Sequence, residues 1–183
     1  MEFKPRDIPD IILIKPKVFG DERGFFLETY RENLFAEHGI NTRFVQDNFS
    51  FSRKGTVRGL HYQIEKPQAK LVMVTMGKVL DVAVDLRRNS PTFGKYTSAV
   101  LSGENKHLLY IPTGFAHGFA VLSEDAYFQY KCSDYYFPEG ERGVRWNDET
   151  INIDWGVANP IISDKDKQLP LLEEVPEQDL FSQ

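Results

Sequence analysis

Between residues 79 and 86 the chain alternates, with Leu80, Val82, Val84 and Leu86 separated by Asp81, Ala83 and Asp85. A period of two marks a strand with one strongly apolar face, here with Asp81 on the polar one. The preceding run, Lys70 to Met76, is also apolar, and the Gly77-Lys78 pair between the two predicts a β-hairpin with a two-residue turn. Such a hairpin would bring Asp81 within reach of Lys70 across the turn. Extended segments are also expected over residues 24–30, 43–51, 96–101, 106–111, 115–122 and 126–132, punctuated by turn signals such as Asn89-Ser90-Pro91 and Pro112-Thr113-Gly114. One short helix is expected over residues 31–38, closed by Gly39. Seven or more short strands with one core helix predict an all-β fold, a sandwich or barrel of the jelly-roll type.

Composition agrees and narrows the function classes. At 183 residues the chain is expected to be one domain, with an N-terminal arm over about residues 1–30 and a C-terminal flap over about 156–183, in which residues 159–166 fold back. An aromatic share of 13%, with 13 Gly and 10 Pro, favours strands and tight turns over a helical bundle. The 22 Lys and Arg against 27 Asp and Glu give a net charge of −5, which argues against nucleic acid or an anionic membrane as partner but leaves room for a local basic cleft. A single cysteine, Cys132, excludes an intrachain disulfide and a Cys-rich zinc site. No apolar run approaches the roughly 20 residues of a membrane span, and the first residues lack the apolar core of a signal peptide. A cytoplasmic protein is the expectation.

Two histidine-bearing segments carry the candidate chemistry, Arg58-Gly59-Leu60-His61-Tyr62-Gln63 and Pro112-Thr113-Gly114-Phe115-Ala116-His117-Gly118. Together they resemble the two signature motifs of the cupin superfamily of small jelly-roll barrels. Metal-binding cupins place a second histidine two residues after the first and a carboxylate nearby. Here those places hold Gln63 and Lys70, and an amide and an ammonium are poor company for a divalent cation. No metal and no cofactor are expected. A set of His, Lys, Tyr and Arg without a redox centre suits proton transfer at a carbon beside a carbonyl. Arg58 and His61 are three apart, so a regular strand would point them to opposite faces; a bulge at Gly59 would bring them together, and otherwise Arg58 would have to reach the cleft from the rim.

Further segments, Asp21-Glu22-Arg23-Gly24-Phe25-Phe26, Gln46-Asp47-Asn48, residues 78–87, Tyr130-Lys131-Cys132 and Trp146-Asn147-Asp148, follow in order with the two histidine motifs. This arrangement resembles the dTDP-4-dehydrorhamnose 3,5-epimerase family over about residues 18–172. The resemblance implies that His61 is the base that removes protons at carbons 3 and 5 of a 4-keto sugar, that Asp166 of the flap holds its imidazole, that Tyr130 is the proton donor and that Lys70 stabilises the enolate. It assigns Arg23, Arg58, His117 and Lys165 to the diphosphate or nucleotide, and Glu28, Gln46, Asp47, Asn48 and Glu141 to the nucleoside. Strand parity gives Tyr130 some independent support, since it shares a face with Ala126 and Phe128. The family is a homodimer whose N-terminal strands cross to the partner, which implies that Arg23 and Glu28 serve the neighbouring subunit. The alternatives are an epimerase acting at one carbon, a metal-dependent cupin, and a sugar-binding cupin without catalysis. The tyrosine at position 130 leans toward double inversion.

Overall fold

The computed structural model, which describes residues 1–182, turns these short apolar runs into thirteen strands and two short α-helices. They follow in the order β1 (Glu2–Pro5), β2 (Ile12–Lys15), β3 (Val18–Asp21), β4 (Gly24–Leu27), α1 (Glu32–Glu37), β5 (Gln46–Arg53), β6 (Val57–Gln63), β7 (Lys70–Met76), β8 (Lys78–Asp85), β9 (Tyr96–Ser102), β10 (Leu108–Ile111), β11 (Phe115–Val121), β12 (Asp125–Cys132), β13 (Glu141–Gly143) and α2 (Asp164–Lys167). The all-β expectation holds. No helix among the described residues is long and apolar enough to cross a membrane.

Two sheets face one another. One has the order β1-β2-β10-β7-β12-β5 and the other β13-β6-β11-β8-β9, with the β3–β4 hairpin standing apart. Val72, Val74, Leu109 and Phe128 from the first sheet meet Val79, Ala83, Leu101 and Phe119 from the second in a continuous core. Because alternate residues share a face, the same parity that buries Val79 and Ala83 turns Asp81 inward as well, and both Asp81 and Asp85 are fully buried. Val82, Val84 and Leu86, on the other face of β8, are covered by Val144, Ile151, Trp155, Leu172 and Val175. The face that alternation marks as polar is therefore the inner one. Asp85 is satisfied there by Arg87, Ser90 and Thr92, at 2.6–2.9 Å.

The hairpin expected at Gly77-Lys78 does not form. β7 pairs with β10 and β12, whereas β8 pairs with β9 and β11, so the chain passes from one sheet to the other at this corner. The Lys78 N–H donates to Ser123 Oγ and its carbonyl accepts from Leu122, which ties the corner to the β11–β12 connection instead of to β7. Gly77 has φ +82°, and a side chain there would collide with the carbonyl of Asp125 and approach Ala126 Cα to 2.9 Å.

The N-terminal arm divides in two. Residues 2–15, not expected as strands, join the chain's own sheet, Ile14 lying opposite Leu108 of β10. Behind them α1 places the fully buried Phe35 against Ile14, Leu71 and Tyr110. Only the β3–β4 hairpin projects, with Phe19, Phe25 and Phe26 between 52% and 69% exposed. At the other end Ile161 bridges to Thr56, α2 follows, and a 3-10 turn forms at Leu172–Glu174. Gly77→Ala is expected to lower the unfolding free energy by about 3 kcal/mol through backbone strain and overpacking together, measured as the shift in urea midpoint at constant slope.

Candidate active site

A cavity of about 580 Å³ opens between the sheets, lined by Arg58 and His61 of β6, Lys70 of β7, His117 of β11, Phe128 and Tyr130 of β12, and Ser163, Lys165 and Asp166 of the flap. Arg58 and His61 reach it together because β6 bulges. Phe119 lies opposite Arg58 and His117 opposite His61, so two residues of β6, Gly59 and Leu60, stand against the single Gly118 of β11. Gly59 makes the bulge possible, with φ +109° and a missing Cβ that would sit 2.6 Å from the His117 carbonyl.

His61 Nε2 lies 2.7 Å from Asp166 Oδ1. The second carboxylate oxygen accepts the Gly59 N–H at 3.2 Å, and Ser163, capping α2, accepts the Asp166 N–H at 3.1 Å. Burial alone would raise the Asp166 pKa, but the hydrogen bond and charge of His61, with the Gly59 and Ser163 contacts, hold it below the usual carboxylate value. Among the described residues the other His61 ring nitrogen has no partner, which leaves it available to a ligand in the cavity.

Lys70 extends toward the Tyr130 ring, its Nζ 6.0 Å from the centroid. Desolvation pushes the Lys70 pKa down, opposed by Cys132, Asp81 and Glu141, and pushes the Tyr130 phenol up. The expected contact of Asp81 with Lys70 across a hairpin is replaced by another. Asp81 holds His117, both carboxylate oxygens lying 3.0–3.1 Å from Nε2. Gln63 points away from the cavity, its amide donating to the Lys66 carbonyl and accepting from the Phe137 N–H. No cluster of three or more His, Cys, Asp or Glu side chains suited to a metal ion occurs among the described residues.

The rim carries the remaining polar groups. Arg58 Nε donates to Ser52 Oγ at 2.9 Å, and Lys165 pairs with Glu141 at 2.6 Å. Asn48 lies cross-strand from Tyr130 and accepts from Gln46. Asp47 turns to the opposite face of β5 and pairs with Lys131 at 3.0 Å. Arg23 is held by Asp21 on the exposed hairpin, Glu28 pairs with Arg31 at 3.5 Å, and neither lines the chain's own cavity.

A family model described as dTDP-4-dehydrorhamnose 3,5-epimerase matches residues 5–174. The chain belongs to the dTDP-4-dehydrorhamnose 3,5-epimerase family. A relative of that name from Shigella flexneri is 56% identical over 162 residues, covering 87% of this chain and 90% of that protein. The crystal structure of the epimerase from Legionella pneumophila, in complex with dTDP-4-keto-L-rhamnose, superposes with a TM-score of 0.97 at 48% identity, covering 100% of this chain and 98% of that one. A more distant structure is a double mutant of ChmJ, a 3'-monoepimerase from Streptomyces bikiniensis, in which asparagine replaces a histidine and phenylalanine replaces a tyrosine. It has a TM-score of 0.91 at 31% identity, covering 97% of this chain and 92% of that one.

Within this epimerase fold one participant escaped the reading of the residues. Tyr136 donates its hydroxyl to Glu141 and its N–H to Gln46, joining three segments of the rim; the aromatic run 135–137 is its only signal. Because the folded Asp166 value is depressed, its contribution to stability is present above the unfolded carboxyl value of about 3.9 and fades as pH falls through the folded value. Urea midpoints of the wild-type protein and D166N are therefore expected to differ at pH 7 and to converge below about pH 4; an unchanged gap at the lower pH would contradict this.

Proposed function

We propose that the protein inverts carbons 3 and 5 of dTDP-4-dehydro-6-deoxy-D-glucose, giving dTDP-4-dehydro-L-rhamnose without a cofactor, with His61 as base and Tyr130 as acid. One observation carries this reading: His61 and Tyr130 enter the same cavity from opposite sheets. Inversion needs a proton to leave one face of a carbon and another to arrive on the opposite face, and groups on facing walls meet that demand.

The carbonyl at carbon 4 acidifies both adjacent C–H bonds. His61 takes the proton, the C–H electron pair moves through the new C=C bond onto the carbonyl oxygen, and Asp166 stabilises the imidazolium. The Lys70 ammonium stabilises the enolate oxygen. Tyr130 then protonates carbon from the other side, leaving a phenolate, and exchange with solvent returns both groups to their starting states. Burial favours the neutral phenol of Tyr130, the form that a donor needs. The second inversion uses the same groups once the ring has re-presented its other neighbouring carbon. Arg58, His117 and Lys165 serve the diphosphate, and the guanidinium of Arg58 offers the paired donors that suit it. Gln46, Asn48 and Glu141 serve the nucleoside.

A tyrosine does not by itself select double inversion, since the double mutant of the monoepimerase replaces a histidine and a tyrosine. Identity of 56% to a 3,5-epimerase against 31% to the monoepimerase favours double inversion. In D2O, deuterium is expected at both carbons with the wild-type enzyme and at neither with H61N, whose kcat falls by about two to four orders of magnitude. Label at carbon 3 alone in the wild type would mark a monoepimerase, and label surviving in H61N would remove His61 as the base.

We further propose a homodimer in which the β3–β4 hairpin crosses to a second copy and delivers Arg23 and Glu28 to its cavity. The exposed Phe19, Phe25 and Phe26 of the hairpin, and Phe49, Phe51 and Met76 on the sheet's outer face, form apolar surface that a partner would cover. The side of Asp47 lies on this outer face too, so its assignment to a nucleoside goes with the crossing. R23A and H61N, each inactive alone, are expected to recover about a quarter of the wild-type sites when refolded together, because half of random dimers are mixed and each mixed dimer holds one complete site. Recovery of no activity from a mixture shown to contain mixed dimers would count against the crossing.

A further inference from the structure

We infer that Asp81 is a positioning residue for this reaction: from beneath the cavity it orients His117 and supplies the negative charge that keeps the Lys70 side chain protonated. The inference rests on the proposed enolate-stabilising role of Lys70 for its functional meaning, and on geometry for its substance.

Asp81 is fully buried on the inner face of β8, with His117 the only side chain hydrogen-bonded to it among the described residues. A buried carboxylate without a compensating cation is strongly disfavoured. The groups facing Lys70 are Asp81 from β8, His117 from β11, His61 from β6, Tyr130 and Cys132 from β12, Glu141 from β13 and Asp166 from the flap. Their partners are already distributed. Asp166 holds His61 and Glu141 holds Lys165, each at 2.6–2.7 Å. Burial favours the neutral forms of Tyr130 and Cys132. Burial likewise disfavours a charged His117. Among the described residues Lys70 remains as the inward cation with no ion pair of its own, and Asp81 as the inward carboxylate with no Lys or Arg paired to it. Both groups lie on the inner side of facing sheets, Asp81 beneath the cavity that Lys70 lines, and burial pushes Asp81 up and Lys70 down, each opposed by the charge of the other. Lys70 thus keeps its proton while its N–H donors stay free for the substrate oxygen, which a direct carboxylate contact would occupy.

The test reads the two charges without turnover. In protein labelled with 13Cε-lysine, with the resonance identified by its loss in K70R, the Lys70 titration midpoint is expected to fall in D81N by at least about one pH unit, a tenfold change in proton affinity. The alkaline limb of kcat/KM should move with it, whereas a purely structural role would lower activity evenly across pH. A folded D81N with an unmoved Lys70 midpoint overturns the inference. If D81N does not fold, K70M supplies the reciprocal measurement. The coupling is mutual, so the Asp81 carboxyl midpoint, followed with 13Cγ-aspartate, must rise by the same amount, and an unmoved Asp81 overturns the inference equally. Neither midpoint depends on epimerisation, so failure of the proposed reaction would appear in the H61N deuterium experiment and leave these titrations unaffected.

Discussion

The 2.7 Å contact between His61 and Asp166 joins two parts of the chain more than a hundred residues apart, and much of the molecule is arranged around it. For Asp166 to arrive there, the segment after β13 must run back along the outer face of the second sheet, where Ile151 and Trp155 cover the even-numbered side chains of β8. For His61 to receive it, β6 must break its alternation at Gly59. The same bulge frees the Gly59 N–H, and Asp166 accepts it. One buried carboxylate thus satisfies a backbone donor left over by the bulge and holds the imidazole that the bulge redirected, so the flap's position and the orientation of His61 are tied together.

This arrangement also sets the charge of the site. The Asp166 carboxyl is held below the usual carboxylate value beside His61, whereas burial pushes Asp81 up and Lys70 and His117 down. A proton arriving on His61 meets the Asp166 carboxylate at 2.7 Å. A carboxylate in that position stabilises the imidazolium that proton abstraction would form. Arg58 and Lys165 add two further cationic groups to the lining of the cavity.

How much of this the residues disclose differs with the range of the interaction. Strands such as β9, β11 and β12 are legible because alternation and flanking turns are local properties. β1 and β2 are not, since four residues each, Glu2–Pro5 and Ile12–Lys15, carry too little periodicity and become strands by pairing onto β10. The Gly77-Lys78 corner shows the same limit from the other side: its signal specifies a turn but not a partner, and the choice is made by Ser123, forty-five residues away. Alternation in β8 locates the strand correctly and misassigns its outside, because the apolar face is hidden by residues 144–175. Of the site, the spacing of Arg58 and His61 leaves open a bulge at Gly59 or reach from the rim, and the pairing of β6 with β11 decides for the bulge. The convergence of His61, Lys70, Tyr130 and Asp166 was not readable from spacing, and it entered through resemblance to a family.

The exposed hairpin is the counterpart of the buried site. Phe25 and Phe26 are more than 60% exposed on a two-stranded ribbon that has no third strand to brace it, and an isolated hairpin is marginal in water. Its tip carries Arg23, a cation held only by the neighbouring Asp21. A chain that leaves Val18, Phe19, Phe25 and Phe26 in solvent while burying carboxylates inside has its apolar surface and its interior chemistry in opposite places. The proposed crossing to a second copy would resolve the contradiction. It would cover the phenylalanines and bring Arg23 to the partner's cavity in one step, so that hydrophobic burial would assemble the electrostatic site.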